Sequence, residues 1–161
     1  MNRRSGSQII QKTQKSAASV RAISSDDYTG WRRLFDAYLV FYETELTNEQ
    51  IDLTWGRLLN QEDGMLGLIA CDEAGNAAGI ANLVFHRSTW AKNHYCYLED
   101  LYVGHSARGE GFGRVLIEAA CAEAVKRGAS RTYWATHRDN AAARRLYDRV
   151  ATLTPFLQYE R

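Results

Sequence analysis

Arg108-Gly109-Glu110-Gly111-Phe112-Gly113 stands between a run with strand character, Tyr95 to Val103, and a run with helical character, Arg114 to Arg127. Glycines at alternate positions let the backbone turn tightly and approach a ligand with no Cβ atoms in the way, while the first amides of the new helix point outward unpaired. Such a helix start attracts anions, phosphate above all. Spacing excludes two other phosphate loops. A P-loop requires Lys and then Ser or Thr after its last glycine, whereas Gly113 is followed by Arg114; a dinucleotide fingerprint requires two residues between its last two glycines, whereas Gly111 and Gly113 are one apart.

Upstream of the loop, strand alternation predicts Tyr97, Glu99, Leu101 and Val103 on one face and Leu98, Asp100 and Tyr102 on the other. Adjacent carboxylates in an otherwise apolar strand then point opposite ways, and burying either without a partner is costly, which marks the pair as functional candidates. Downstream, Leu116, Ile117, Ala120, Cys121 and Ala124 share one helix face, and Gly128 suits the position just past its end. Ser130 to His137 reads as the next strand, Asn140 as the cap of a last helix striped by Ala143, Leu146, Tyr147 and Val150, and Phe156 to Tyr159 as a final short strand.

Toward the amino terminus, Met65 to Cys71 and Ala77 to His86 form a predicted hairpin around the turn cluster Asp72 to Asn76, followed by a polar loop from Arg87 to His94. Before it, Thr47 and Gln50 make a capping box for a helix striped by Ile51, Trp55, Leu58 and Leu59. An earlier helix carries Trp31, Leu34, Phe35, Tyr38 and Tyr42 on one face, behind a short strand from Ser19 to Ile23. The order is strand, two helices, three strands, helix, strand, helix, strand: a mixed α/β domain without visible repeats.

The 161 residues suit one domain, and 20 Lys and Arg against 19 Asp and Glu argue against a nucleic-acid-binding surface. No apolar run reaches the ~18 residues of a membrane span. Cys71, Cys96 and Cys121 lie inside apolar runs without metal spacing, so they read as buried, reduced thiols in a cytoplasmic protein. His86, His94, His105 and His137 also lack metal spacing and read as loop or surface residues, with His137 near enough to a strand end to line a site. Residues 1–19 are basic and free of acids; they read as a flexible polar tail, a composition that transit peptides share, and leave 20–161 as the folded domain.

The spacing of Arg108, Gly111 and Gly113 between strand and helix resembles the acetyl-CoA pyrophosphate loop of the GNAT superfamily of N-acetyltransferases. Tyr97 to Val103 before it, and Asn140, Ala143, Leu146 and Tyr147 after it, match that superfamily in type and spacing, so the resemblance covers nearly everything past the first twenty or so residues. It implies a mixed, centrally splayed β-sheet flanked by helices, with strands near Tyr95 and Ser130 parting so that CoA enters the gap. Acetyl-CoA would then be the cosubstrate, with no metal. Leu101, Tyr102 and Val103 would meet its pantetheine, the loop from Arg108 through Glu110 and Phe112 to Arg114 its pyrophosphate, and Asn140 and Ala143 would complete the cofactor set.

The same resemblance makes Tyr147 the acid that protonates the departing sulfur, although its place on an apolar stripe also suits plain core packing. It makes Glu99 the relay that takes the amine proton through water. Tyr42, Glu43, Trp90 and Asp100 fall on the acceptor side, with a solvated acidic turn and a structural aspartate as the bland alternatives. The stretch from His86 to Trp90 and the ending from Thr154 to Tyr159 look like the histone and polyamine acetyltransferase-type subgroup. That subgroup spans small amines, amino acids and protein tails, and the resemblance to it implies a homodimer that uses the closing segment; the expected acceptor is the primary amine of a small molecule, polyamine or amino-acid-like. A protein or peptide acetyltransferase and a non-catalytic CoA-binding module are the alternatives.

Overall fold

Alternate residues of the central strands are buried on both sides, and the architecture follows from that. The structure is a computed structural model describing residues 19–161, so most of the expected tail lies outside the described residues. Its elements are β1 (Ser19–Ala22), α1 (Tyr28–Phe41), α2 (Asn48–Asn60), β2 (Met65–Cys71), β3 (Ala77–Arg87), β4 (His94–Val103), α3 (Phe112–Lys126), β5 (Thr132–Tyr133) and α4 (Ala141–Val150). The sheet runs β1-β2-β3-β4-β5, antiparallel except for the parallel pair β4 and β5. It is the mixed, helix-flanked sheet that the sequence implies.

On one face Ile69, Cys71 and Ile80 pack against Trp31, Leu34 and Phe35 of α1 and Ile51 and Leu58 of α2. On the other, Leu66, Leu68, Ala81, Leu83, Cys96 and Leu98 pack against Leu116, Ile117, Ala120 and Ala124 of α3. Leu58 and Leu116 are fully enclosed, so truncating either to alanine costs about 2–5 kcal/mol.

The local signals mostly act as read. Thr47 accepts a hydrogen bond from the Gln50 amide at 3.2 Å and starts α2. Asp72 accepts from the amides of Ala74 and Asn76 and closes the β2–β3 turn. Gly128, at φ +74°, ends α3 with Gly128 N–H on the Val125 carbonyl and Ala129 N–H on the Ala124 carbonyl. The cysteines are unpaired; Cys71 and Cys96 are buried and Cys121 is half-buried.

Three expectations are corrected. The alternation of β4 breaks at Glu99: Leu98 faces Leu83 and Asp100 faces Asn82, so Glu99 is an extra, bulged residue. Leu98 and Leu101 therefore share the α3 face, while Asp100 and Tyr102 lie toward α1. The strand expected from Ser130 to His137 shrinks to Thr132–Tyr133, because β5 pairs with β4 only at Cys96 with Thr132 and Tyr97 with Tyr133 before leaving it. Finally, Phe156 to Tyr159 forms no strand; residues 151–161 are exposed coil.

Candidate active site

Where β4 and β5 part, a cavity of about 450 Å³ opens between them. Tyr38 and Tyr42 reach it from the α1 side, Trp134 and Tyr147 from the α3 and α4 side, and Glu99 from the bulge in the middle. A gap in a sheet leaves unpaired strand amides and carbonyls, which an amide-bearing chain can satisfy as a strand would. Leu101 lines this gap, and Tyr102 and Val103 continue the same edge of β4 toward the glycine loop.

The loop fits a pyrophosphate. Gly109 and Gly111 have φ of +81° and +93°, and a Cβ on either would meet nothing within 4 Å, so the concave side is open. No backbone carbonyl accepts from the amides of Gly109, Glu110 or Gly111, and the first amides of the fifteen-residue α3 follow directly. Arg108 lies across the end of β4, its Nε on the Val103 carbonyl at 3.3 Å and its guanidinium 5.6 Å from the Tyr102 ring centre. Gly113 has a second role: a Cβ there would sit 3.1 Å from Leu146, so glycine lets α4 close on α3. Arg114 pairs with Glu118 at 2.7 Å on the solvent side of α3.

Burial and the adjacent Asp100 carboxylate raise the pKa of Glu99 above the ordinary carboxyl value, moving it toward the range of a working base. Desolvation, with a smaller contribution from Tyr42, pushes the Tyr147 phenol up to about 12, so it holds its proton throughout neutral pH. The Tyr147 ring lines the cavity, meets Trp134 edge-on at 5.4 Å and packs against the α3-side core.

Asp100 is placed differently from the acceptor-side role that the resemblance implies. It turns away from the cavity, and its carboxylate accepts from Asn82 Nδ2 at 2.9 Å, while Asn82 Oδ1 accepts from Trp31 Nε1 at 3.2 Å. Burial raises the Asp100 pKa, and hydrogen bonds from Asn82 and Tyr38 counter this. This chain ties the bulged stretch of β4 to α1.

Asn140 caps α4, accepting from the Ala143 amide at 3.3 Å, which commits both groups to the helix start. The structure does not bring Glu43 or Trp90 to the cavity: Glu43 sits exposed at φ +52°, and Trp90 is 84% exposed on the loop after β3. Tyr38, Tyr97 and Trp134 line the cavity without having been singled out. Tyr97 carried a signal, since it shares the alternation of Glu99; Tyr38 was hidden in a helix stripe that also suits a core. His137 lines the cavity, and Gln158 and Glu160 reach it from the closing segment.

Comparison with known proteins bears on this arrangement. The model of the acetyltransferase (GNAT) family matches residues 28–151. The chain is 34% identical over 143 residues to the D-amino-acid N-acetyltransferase HPA3 of Saccharomyces cerevisiae, covering 88% of this chain and 89% of that protein. Among solved structures, AAC(6')-Iy in complex with the bisubstrate analogue CoA-S-monomethyl-acetylneamine superposes with a TM-score of 0.78 at 19% identity, covering 91% of this chain and 98% of that one. A ribosomal-protein-alanine N-acetyltransferase from Brucella melitensis superposes with a TM-score of 0.71 at 21% identity, covering 90% and 98%. At these identities the structural likenesses speak to the fold.

Proposed function

The chain belongs to the acetyltransferase (GNAT) family and is an acetyl-CoA-dependent N-acetyltransferase; on that premise we propose that its acceptor is the primary amine of a small molecule, which attacks the thioester directly. The observation that carries this is the placement of Glu99 and Tyr147 in one cavity, at the point where the sheet splits beside the glycine loop. Support for a small acceptor comes from the D-amino-acid N-acetyltransferase relative and from the cavity's modest volume.

In this reading Gly109, Gly111 and the start of α3 hold the pyrophosphate, Arg108 adds charge, and Leu101 to Val103 pair with the pantetheine amides. An amine of lysine-like pKa, about 10.4, arrives protonated at neutral pH and must lose a proton before it attacks. Glu99 accepts that proton through water, and the Tyr38, Tyr42 and Tyr97 rings around it suit a cation before it is neutralised. The amine nitrogen bonds to the acetyl carbon, the carbon–sulfur bond breaks, and Tyr147 protonates the departing sulfur. The resemblance to the histone and polyamine acetyltransferase-type subgroup extends the proposal to a homodimer.

An acceptor screen with acetyl-CoA, scored by release of free thiol, tests the class. Small amines and amino acids are expected to outpace lysine-bearing peptides and proteins; the reverse order would overturn the acceptor assignment.

A further inference from the structure

Beside the cavity, the sheet carries a second group of aromatic side chains that adjoin its lining at Tyr97. Beyond α1, on the same face as Tyr97, the first residues of β4 and β5 present Tyr95 and Tyr133, and β3 adds His86. Tyr97 and Tyr133 have ring centres 4.8 Å apart. His86 Nδ1 lies 2.8 Å from the Arg87 carbonyl, which only an N–H can donate to, so Nε2 is the acceptor for the Tyr133 hydroxyl, also at 2.8 Å. That bond crosses β4 and holds the Tyr133 ring in place.

Arg131 rests on this shelf. Its guanidinium carbon lies 4.8 Å from the Tyr133 ring centre and 5.3 Å from that of Tyr95, and its carbonyl accepts from the Cys96 amide at 2.8 Å, so backbone and side chain are both held. Among the described residues its guanidinium has no carboxylate within ion-pair distance and no hydrogen-bond acceptor. A planar cation fixed on aromatic faces with its N–H groups free is a receptor for a carboxylate. It adjoins the site through Tyr97, which lines the cavity and has its ring centre 4.8 Å from that of Tyr133.

We infer that Arg131, held by Tyr133 and Tyr95, anchors an anionic group of the acceptor, making the preferred acceptor a peptide-like zwitterion with its amine at Glu99 and its carboxylate several bonds away. The inference rests on the proposed function and narrows it. Tyr97 pairs with Tyr133, so Glu99 and Arg131 are offset by about four residue steps, roughly 13 Å of strand. The Arg131 guanidinium lies over the Tyr133 ring, whose residue pairs with Tyr97, so the span to Glu99 is on the order of 10 Å, about three residues of extended peptide. The carboxylate of a free α-amino acid, one residue from its own amine, falls short of Arg131, and a polyamine offers it nothing.

Triglycine and triglycinamide, compared at equal free-amine concentration, test this in the wild type and in Arg131→Gln. The wild type is expected to favour the acid by about tenfold in kcat/KM, carried by KM. Arg131→Gln is expected to level the two while leaving the amide's rate unchanged, and shortening the acceptor to glycine should remove the Arg131 dependence. Equal use of acid and amide by the wild type, a preference that survives Arg131→Gln, or no reaction of triglycine where other small amines react would overturn the inference. Failure of every amine to be acetylated would instead overturn the proposed function.

Discussion

Glu99 occupies a bulge where strand alternation places it in line with Tyr97 and Leu101, and the consequences can be measured in both activity and stability. Its raised pKa means that the folded protein holds the carboxyl proton more tightly than the unfolded chain does. That contributes stability below the usual carboxylate pKa and is lost as pH rises through the elevated value. Glu99→Gln should therefore raise Tm at pH 7, with a smaller gain near pH 4, while depressing kcat/KM most at neutral pH and recovering partly at alkaline pH as free amine accumulates. A variant whose pH–rate profile runs parallel to the parent's would make Glu99 structural. Tyr147→Phe keeps the ring against Trp134 and removes the proton, so kcat should fall by roughly 10²-fold or more with Tm nearly unchanged. A normal kcat at saturating acetyl-CoA would return Tyr147 to the core. Asn82→Leu orphans the Trp31 N–H and one partner of Asp100, which should cost about 2–4 kcal/mol in denaturant unfolding. Glu99 stood out as a carboxylate in an apolar strand and Tyr147 only through the family resemblance; Asn82 could not be picked out, because a lone asparagine in a strand shows its partners only after β3, β4 and α1 come together.

At the scale of elements, the glycine loop was the most legible part of the chain, since alternate glycines before a helical stripe have few other uses. Gly111 sits at φ +93° with open space around it, so Gly111→Asp strains the backbone and sets a carboxylate against the pyrophosphate. Calorimetry should show CoA binding abolished, and unchanged affinity would remove the loop from the cofactor site. The bulge in β4 was not legible, because a period-two count cannot register one extra residue whose place is set by cross-strand contacts. The shortness of β5 has a related cause: Ser130 to His137 has strand composition, but its partner diverges after Tyr97. The closing segment also looks like a strand, yet it pairs with none of β1 to β5, and Leu153, Phe156, Leu157 and Tyr159 remain exposed. If the proposed homodimer uses them, truncation after Ala151 should lower the solution mass; an unchanged mass would remove that assignment.

For the whole molecule, the sheet combines two demands. From β1 to β4 it is continuous, with β2 and the first half of β3 buried on both faces, which gives rigidity; between β4 and β5 it is open, which gives a site reached from both faces at once. In the proposed reading the cofactor's phosphates lie at the α3 end and the acceptor on the α1 side, so Glu99 and Tyr147, which line the same cavity, would meet the reacting atoms from opposite walls. The most direct test mixes the protein with acetyl-CoA and a panel of small primary amines and follows thiol release and acetylated product together. The account predicts thiol release only when an amine is present, matched one for one by N-acetylated product. CoA bound with no acetylated amine, or thiol released without acetylated product, would contradict it.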